Sequence, residues 1–371
     1  MKISAVETYP VRIPLKAECR MVSALGKYDV SEFLIVRLLT DEGIEGVGEA
    51  SVAVRWSGET VWGSQVLVDR ILAPLIQGCD PLDVTEIERR MDAVCRNNWF
   101  TKSAIEMACW DLQGKTAGRP VYELMGGACR SLAVRSRFSI GAYTPQRAAD
   151  RAAQLIGAGF DTIKVKVGGT PADDIDRVRA VRDAIGPEPA LIIDANAGWD
   201  VDTAIRCVNE LVDCNLNLVE QPTPNRNFAA MALFRRETTP PVMADDICFD
   251  LADAEQLIEH ACCDVISIYP GKNGGIGKSR QIAELAQRHG VACAIGSNIE
   301  FDIATAAMGH LAVATENVQV EKYPGDMIGP IYYESRIVSN PLAIEGPMTT
   351  MNDRPGLGID VDWAVVRAHG M

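Results

Sequence analysis

The strongest constraint on the fold is a repeated unit. From about Ala133 onward, short β-branched or apolar runs alternate with amphipathic stretches. The runs cover 133–140, 162–167, 190–194, 216–220, 242–245, 264–269, 291–295 and 318–320. Between them lie stretches such as 145–157, 173–185, 202–213, 251–261 and 278–289. Eight strands with helical crossovers predict a parallel α/β barrel. A doubly wound open sheet is the competing arrangement, and no Gly-x-Gly-x-x-Gly follows an early strand to support it.

The first third reads differently. Residues 4–14 alternate, 33–38 form a strong apolar run, Asp41-Glu42-Gly43 is a turn, and 44–49 pair back as a hairpin. Helical periodicity follows over 61–77, 84–95 and 103–117, the last ending near Gly118 and Pro120. This is an α+β module. After about Pro330 the texture returns to β-like and irregular, and this tail is expected to pack back on the first module. The domain reading is therefore 1–130, 131–328 and 329–371. A chain of 371 residues suits two domains or one barrel with additions.

Composition narrows the function. A hydrophobic share of 47% with 23% charged residues excludes disorder, collagen and coiled coil. A net charge of -14 argues against nucleic acid and anionic membranes as partners, though not against an anionic small molecule. No apolar run reaches the length of about 18 residues that a membrane span needs, and the N-terminus has no apolar signal core. The 11 cysteines are scattered with no Cys-x-x-Cys pair, which fits buried free thiols in a reducing cytoplasm.

Three consecutive runs end in an acid: Asp194 after Leu191-Ile192-Ile193, Glu220 after Leu218-Val219, and Asp245 after Met243-Ala244. In a parallel barrel every strand ends on the same face, so the three carboxylates converge on one mouth. One such acid reads readily as a helix N-cap. Three on neighbouring strands repel unless a cation sits among them. Oxygen ligands without histidine or cysteine favour Mg²⁺, or Mn²⁺, over zinc. One strand earlier, Lys164 and Lys166 are two residues apart and share a face, leaving Ile163, Val165 and Val167 for the opposite one. Paired ammonium groups beside a cation depress one another's pKa, so one of them is a candidate general base. Together these parts describe removal of the proton α to a carboxylate, with the resulting enolate stabilised by the metal.

The ordered motifs resemble the enolase superfamily, specifically its muconate lactonizing enzyme subgroup, over nearly the whole chain. Lys164-Val165-Lys166, Asp194-Ala195-Asn196, Glu220-Gln221-Pro222 and Ala244-Asp245 match in order and spacing. So does the segment from Ala104 to Gly126, with Ala108-Cys109-Trp110-Asp111 and Leu124-Met125-Gly126-Gly127. The resemblance implies a modified (β/α) TIM-type barrel under an α+β N-terminal capping domain, with two capping loops near 16–28 and 51–59 enclosing a small carboxylate substrate. It implies Mg²⁺ on Asp194, Glu220 and Asp245, proton transfer by Lys166, electrostatic support from Lys164 and Asn196 close to the metal. It also implies a homo-oligomer.

The chain departs from the subgroup in two places. Tyr269 stands where a second catalytic lysine is usual at the end of the sixth strand, and Asp246 stands where glutamate commonly follows the ligand aspartate. A tyrosine, with a reference pKa near about 10, is a poor second base. One-base chemistry therefore fits best: a muconate-type cycloisomerase, or a lyase that eliminates water. The alternatives are a racemase or epimerase using Tyr269 or Lys272 as the second acid/base, and a metal-binding relative without activity. Further candidate substrate contacts are Lys272 and Glu300 on the barrel, Glu321, Lys322, Tyr323 and Asp326 after the eighth strand, and Arg20, Tyr28, Arg55 and Trp56 on the capping loops. An arginine there could take a distal carboxylate in bidentate fashion.

Overall fold

The computed structural model describes all 371 residues. The chain opens with an antiparallel sheet in which β1 (Ile3–Pro14) pairs with β2 (Val30–Thr40) and β2 with β3 (Glu45–Ser51). A short hairpin, Met21–Ser23 with Gly26–Tyr28, rises from the first connection. The sheet packs on helix α1 (Trp99–Ala117), which is buried on most of its circumference because the barrel covers its other side. The approach is close. A Cβ at Gly48 would lie 1.7 Å from the carbonyl oxygen of Ala104, so no larger residue fits there.

The second part is a parallel sheet of seven strands in chain order: β4 (Phe138–Ile140), β5 (Thr162–Lys166), β6 (Ala190–Asp194), β7 (Leu218–Glu220), β8 (Val242–Ala244), β9 (Val265–Ile268) and β10 (Ala292–Ile295). Helices connect the strands, including α2 (Ile276–Arg288) and α3 (Asp302–Ala314), the second of which follows β10. With the cap this makes a modified TIM-type barrel, and no helix is long and apolar enough to cross a membrane.

Two expected strands differ. The run 133–140 divides. Ala133–Arg135 pairs antiparallel with Met348–Thr350 of a hairpin in the tail, and only Phe138–Ile140 enters the barrel. The run 318–320 makes one bridge, Val318 to Cys293, and then turns, with the Tyr323 N–H donating to the Gln319 carbonyl at 2.8 Å. The exposed Glu321 and Lys322 account for the turn, since charged side chains do not continue a buried strand. The barrel is closed instead by 325–326: the Arg137 N–H donates to Gly325 O at 2.9 Å and the Asp326 N–H to Ile295 O at 3.1 Å.

The tail touches both parts. Gly370 bridges Val11, Tyr333 bridges Leu15 and Gly356 bridges Pro120, while the 343–350 hairpin extends beside the barrel entry. Cap and barrel are further joined by buried carboxyls at helix starts, where backbone N–H groups lack helical partners. Glu49 of β3 accepts from Phe301 N–H at 2.7 Å and Ala304 N–H at 3.1 Å, at the start of α3. Glu106 of α1 accepts from the N–H groups of Ile276 and Gly277, both at 2.9 Å, at the start of α2. Burial pushes the Glu49 carboxyl up to about 8 against these donors.

Candidate active site

The barrel lumen is layered. Side chains two apart on a strand face the same way, so Ile192, Leu218 and Met243 lie directly beneath Asp194, Glu220 and Asp245. With Val265, Ala292, Ala294 and Tyr323 they form a buried apolar plug. The charged layer sits on this plug at the strands' C-terminal ends. Lys166 is in register with Asp194, and Asp194 with Glu220. Asp245, one residue past β8, is set by Gln221, whose Oε1 accepts from the N–H groups of Asp245 at 3.0 Å and Ile247 at 3.3 Å. Asn196 and Gln221 take left-handed backbone angles, φ 42° and 39°, just past the strand ends. Such conformations are costly and concentrate at functional sites.

Each acid is held by a cation. Lys166 Nζ donates to Asp194 Oδ2 at 2.5 Å and to Asn196 Oδ1 at 2.8 Å. Lys164 Nζ donates to Asp326 Oδ2 at 2.9 Å and to both Glu220 oxygens at 3.2 Å, and lies 3.4 Å from Asp194 Oδ2. Lys272 Nζ donates to Asp245 Oδ1 at 2.8 Å. In these side-chain positions no three acids converge closely enough to hold an ion. The donor set is nonetheless three carboxylates from adjacent strands, with oxygen atoms only, which suits a hard divalent cation. Burial, reinforced by Asp194, pushes the Glu220 carboxyl up to about 7. Burial also raises Asp246 to about 8, with Asp245 and Asp194 adding to the effect.

The lysine expectation needs correcting at Lys164. Burial and Arg137 pull its ammonium down, but Asp326, Glu220 and Asp194 outweigh them, so its pKa lies above the ordinary value. The mutual depression expected of the lysine pair is overridden because Lys164 faces three carboxylates. It is a fixed positive charge.

A cavity of about 390 Å³ covers this layer, walled by the mouth and by both capping loops. Lys164, Lys166, Asn196, Glu220, Asp245, Tyr269, Tyr28, Arg55 and Trp56 all line it. Trp56 crosses from cap to barrel. Its indole N–H donates to Asp246, and its ring stacks on Tyr269 at 5.7 Å and 6°. Burial raises the Tyr269 phenol well above its ordinary pKa, with Asp245 and Glu300 adding to the effect, so it is neutral.

Six candidates are elsewhere, among them Glu321 and Lys322, which are exposed in the turn after Val320 and do not line the cavity. Lys272 is fully buried, with its ammonium also bonded to the carbonyls of Asp245 and Ser267 at 2.9 and 2.7 Å, so it supports Asp245 and does not meet the cavity. Glu300 is buried behind its own loop, accepting from Ser297 Oγ at 2.5 Å and Asn298 N–H at 2.9 Å. Arg20 is half exposed, with Asp29 3.8 Å away. Tyr323 belongs to the apolar plug because the chain turns before it climbs to the mouth.

Asp326 completes that climb and lines the cavity with Ser139. The residue missed in the sequence is Arg137, fully buried in the lumen. A polar residue two before Ser139, inside a strand-like run, was the signal available for it.

Two family models cover most of the chain. The mandelate racemase/muconate lactonizing enzyme N-terminal domain matches residues 5–126 and the enolase C-terminal domain-like model matches residues 147–365. The chain belongs to this family of the enolase superfamily. Among relatives within it, the chain is 32% identical to a hydrophobic dipeptide epimerase of Enterococcus faecalis over 97% of this chain and 99% of that one. It is 30% identical to muconate cycloisomerase 1 of Rhodococcus opacus over 99% and 98%. A structure of the Enterococcus faecalis dipeptide epimerase complexed with Mg and L-Leu-L-Tyr superposes with a TM-score of 0.92 at 31% identity, covering 97% of this chain and all of that one. These are isomerases, and this chain is an enzyme of the same superfamily.

Proposed function

We propose that Lys166 is the one acid/base of this enzyme and moves the proton at the carbon α to the carboxylate of a small acid: it gives that proton to the enolate formed when a muconate-type diacid closes its ring, or takes it in a syn elimination and returns it to the β-hydroxyl that departs as water. The observation that carries this reading is Tyr269. Strands β5 and β9 stand on opposite sides of the lumen, so the residue across from Lys166 is a buried, neutral phenol. The nearby lysine, Lys272, is turned onto Asp245. Inversion needs a proton acceptor on one face and a donor on the other, whereas ring closure or syn elimination needs one.

Asp194, Glu220 and Asp245 would hold Mg²⁺, which supplies positive charge against the substrate carboxylate and lowers the cost of forming an enolate. Lys166, bonded to Asp194 and Asn196, moves the proton. Lys164 contributes fixed positive charge beneath the carboxylate. Tyr28, Arg55 and Trp56 wall the cavity against water and set the size of the substrate.

The test is incubation of muconates, β-hydroxy acids and dipeptides in D₂O with wild type and Lys166→Ala. Wild type is expected to give cyclised or dehydrated product, and the variant none. Deuterium at an inverted α-carbon of wild-type product refutes the one-base reading. The identity to dipeptide epimerases favours epimerisation as a second reading, with Tyr269 as the opposing acid. In that case Tyr269→Phe abolishes inversion and leaves some solvent exchange.

A further inference from the structure

The lumen holds a closed ring of alternating charge. Arg137 Nη2 donates to Glu220 Oε2 at 2.8 Å and to Asp326 Oδ2 at 2.8 Å, with Arg137 Nε 3.1 Å from the same Asp326 oxygen. Lys164 Nζ completes the circuit by donating to Asp326 and to Glu220. Ser139 Oγ donates to the other Asp326 oxygen at 3.0 Å. The ring draws on β5, β7, the chain just before β4 and the segment that closes the barrel. All four of its charged members are buried.

Stability alone does not explain it. The layer beneath shows that this lumen fills well with aliphatic side chains. Buried ion pairs are often neutral or worse for stability when compared with apolar residues of similar volume. Arg137 also leaves its Nη1 buried with no partner, a further cost. What the ring does accomplish is to fix Glu220. Its Oε2 takes the Arg137 bond and a Lys164 contact, while Oε1 has only the 3.2 Å contact to Lys164. Lys164 bridges the same two carboxylates from a freely rotating ammonium, whereas the planar guanidinium of Arg137 sets two nitrogens on Asp326 and one of them on Glu220, which fixes the angle between the two acids.

We infer that Arg137 is a positioning residue that, through Glu220 Oε2 and Asp326, holds the Glu220 carboxylate with Oε1 free to take the cation. This rests on the metal reading above. Partners one bond behind a metal ligand are worth roughly 10–100-fold in metal affinity.

The experiment is titration of metal-stripped protein with Mn²⁺, reading free Mn²⁺ by electron paramagnetic resonance, for wild type, Arg137→Met, Arg137→Lys and the double variant Arg137→Met/Asp326→Leu. Circular dichroism confirms folding. The double variant removes one charge of each sign, so it keeps the lumen balanced if the single methionine variant fails to fold. Expected is a loss of about 10-fold or more in Mn²⁺ affinity for the methionine variants, with lysine recovering part of it. A folded methionine variant, single or double, that binds Mn²⁺ within about twofold of wild type overturns the inference and leaves the metal reading intact. Wild type that binds no Mn²⁺ overturns both.

Discussion

Glu59 offers a direct measure of how the capping loop is tied to the rest of the cap. Helix α1 starts after Asn97 and Asn98, both left-handed, and Asn98 gives no side-chain cap. Its first donors turn to a distant carboxylate. Glu59 accepts from Phe100 N–H at 3.1 Å, Thr101 N–H at 2.9 Å and Thr101 Oγ1 at 2.6 Å. Glu59→Ala removes an N-cap worth about 0.5–2 kcal/mol. It also leaves buried donors that cost about 1–3 kcal/mol for each one water cannot reach. Burial raises the Glu59 carboxyl above its ordinary value, so some relief of desolvation offsets this. The net expectation is a loss of about 2–4 kcal/mol. At about 2.1 cal/mol/K per residue of unfolding entropy, that lowers Tm by roughly 3–5 °C. Guanidinium denaturation followed by tryptophan fluorescence reads the change. Glu59→Gln, which keeps an acceptor oxygen, should lose about half as much. If Glu59→Ala unfolds within about 0.5 kcal/mol of wild type, remote capping of α1 is not what anchors the loop.

Other outcomes follow from the same geometry. Gly48→Ala should abolish soluble expression or cost upwards of about 3 kcal/mol, because the new methyl meets the rigid backbone of Ala104; near-normal urea unfolding would contradict it. The Glu49 carboxyl is raised to about 8 when folded, so its contribution to stability is complete below its unfolded value near 4.5 and is lost as pH rises through about 8. Wild type should therefore lose stability between pH 5 and 8.5 more steeply than Glu49→Gln, by up to a few kcal/mol, and parallel profiles would refute this. Trp56→Phe keeps an aromatic ring against Tyr269 and removes the N–H to Asp246. With any active substrate it should raise KM more than it lowers kcat, and an unchanged KM would deny the contact a role in closing the loop.

Much of the site could be read from strand parity. Asp194, Glu220 and Asp245 end runs whose alternate positions are aliphatic, and a barrel leaves such residues one place to go. Lys164 was located by the same rule, but its protonation was not, because Asp326 reaches it from 162 residues away. Arg137 is hidden in the sequence because its run reads as one strand, while the tail hairpin claims the first half. Tyr323 lies below the level that its run implies: the valines at 318 and 320 carry strand propensity, whereas the exposed Glu321 and Lys322 decide the turn. Local patterning fixed each strand's face, and closure depended on pairings between distant segments.

The carboxyls of Glu49 and Glu106 have a consequence for anyone wishing to transplant the upper part of this molecule. Two helices of the lower part borrow their opening hydrogen-bond acceptors from it. A chimera that imports a foreign lid to alter selectivity must therefore import those two acids at matching positions, and a barrel produced alone would begin life with both helices frayed.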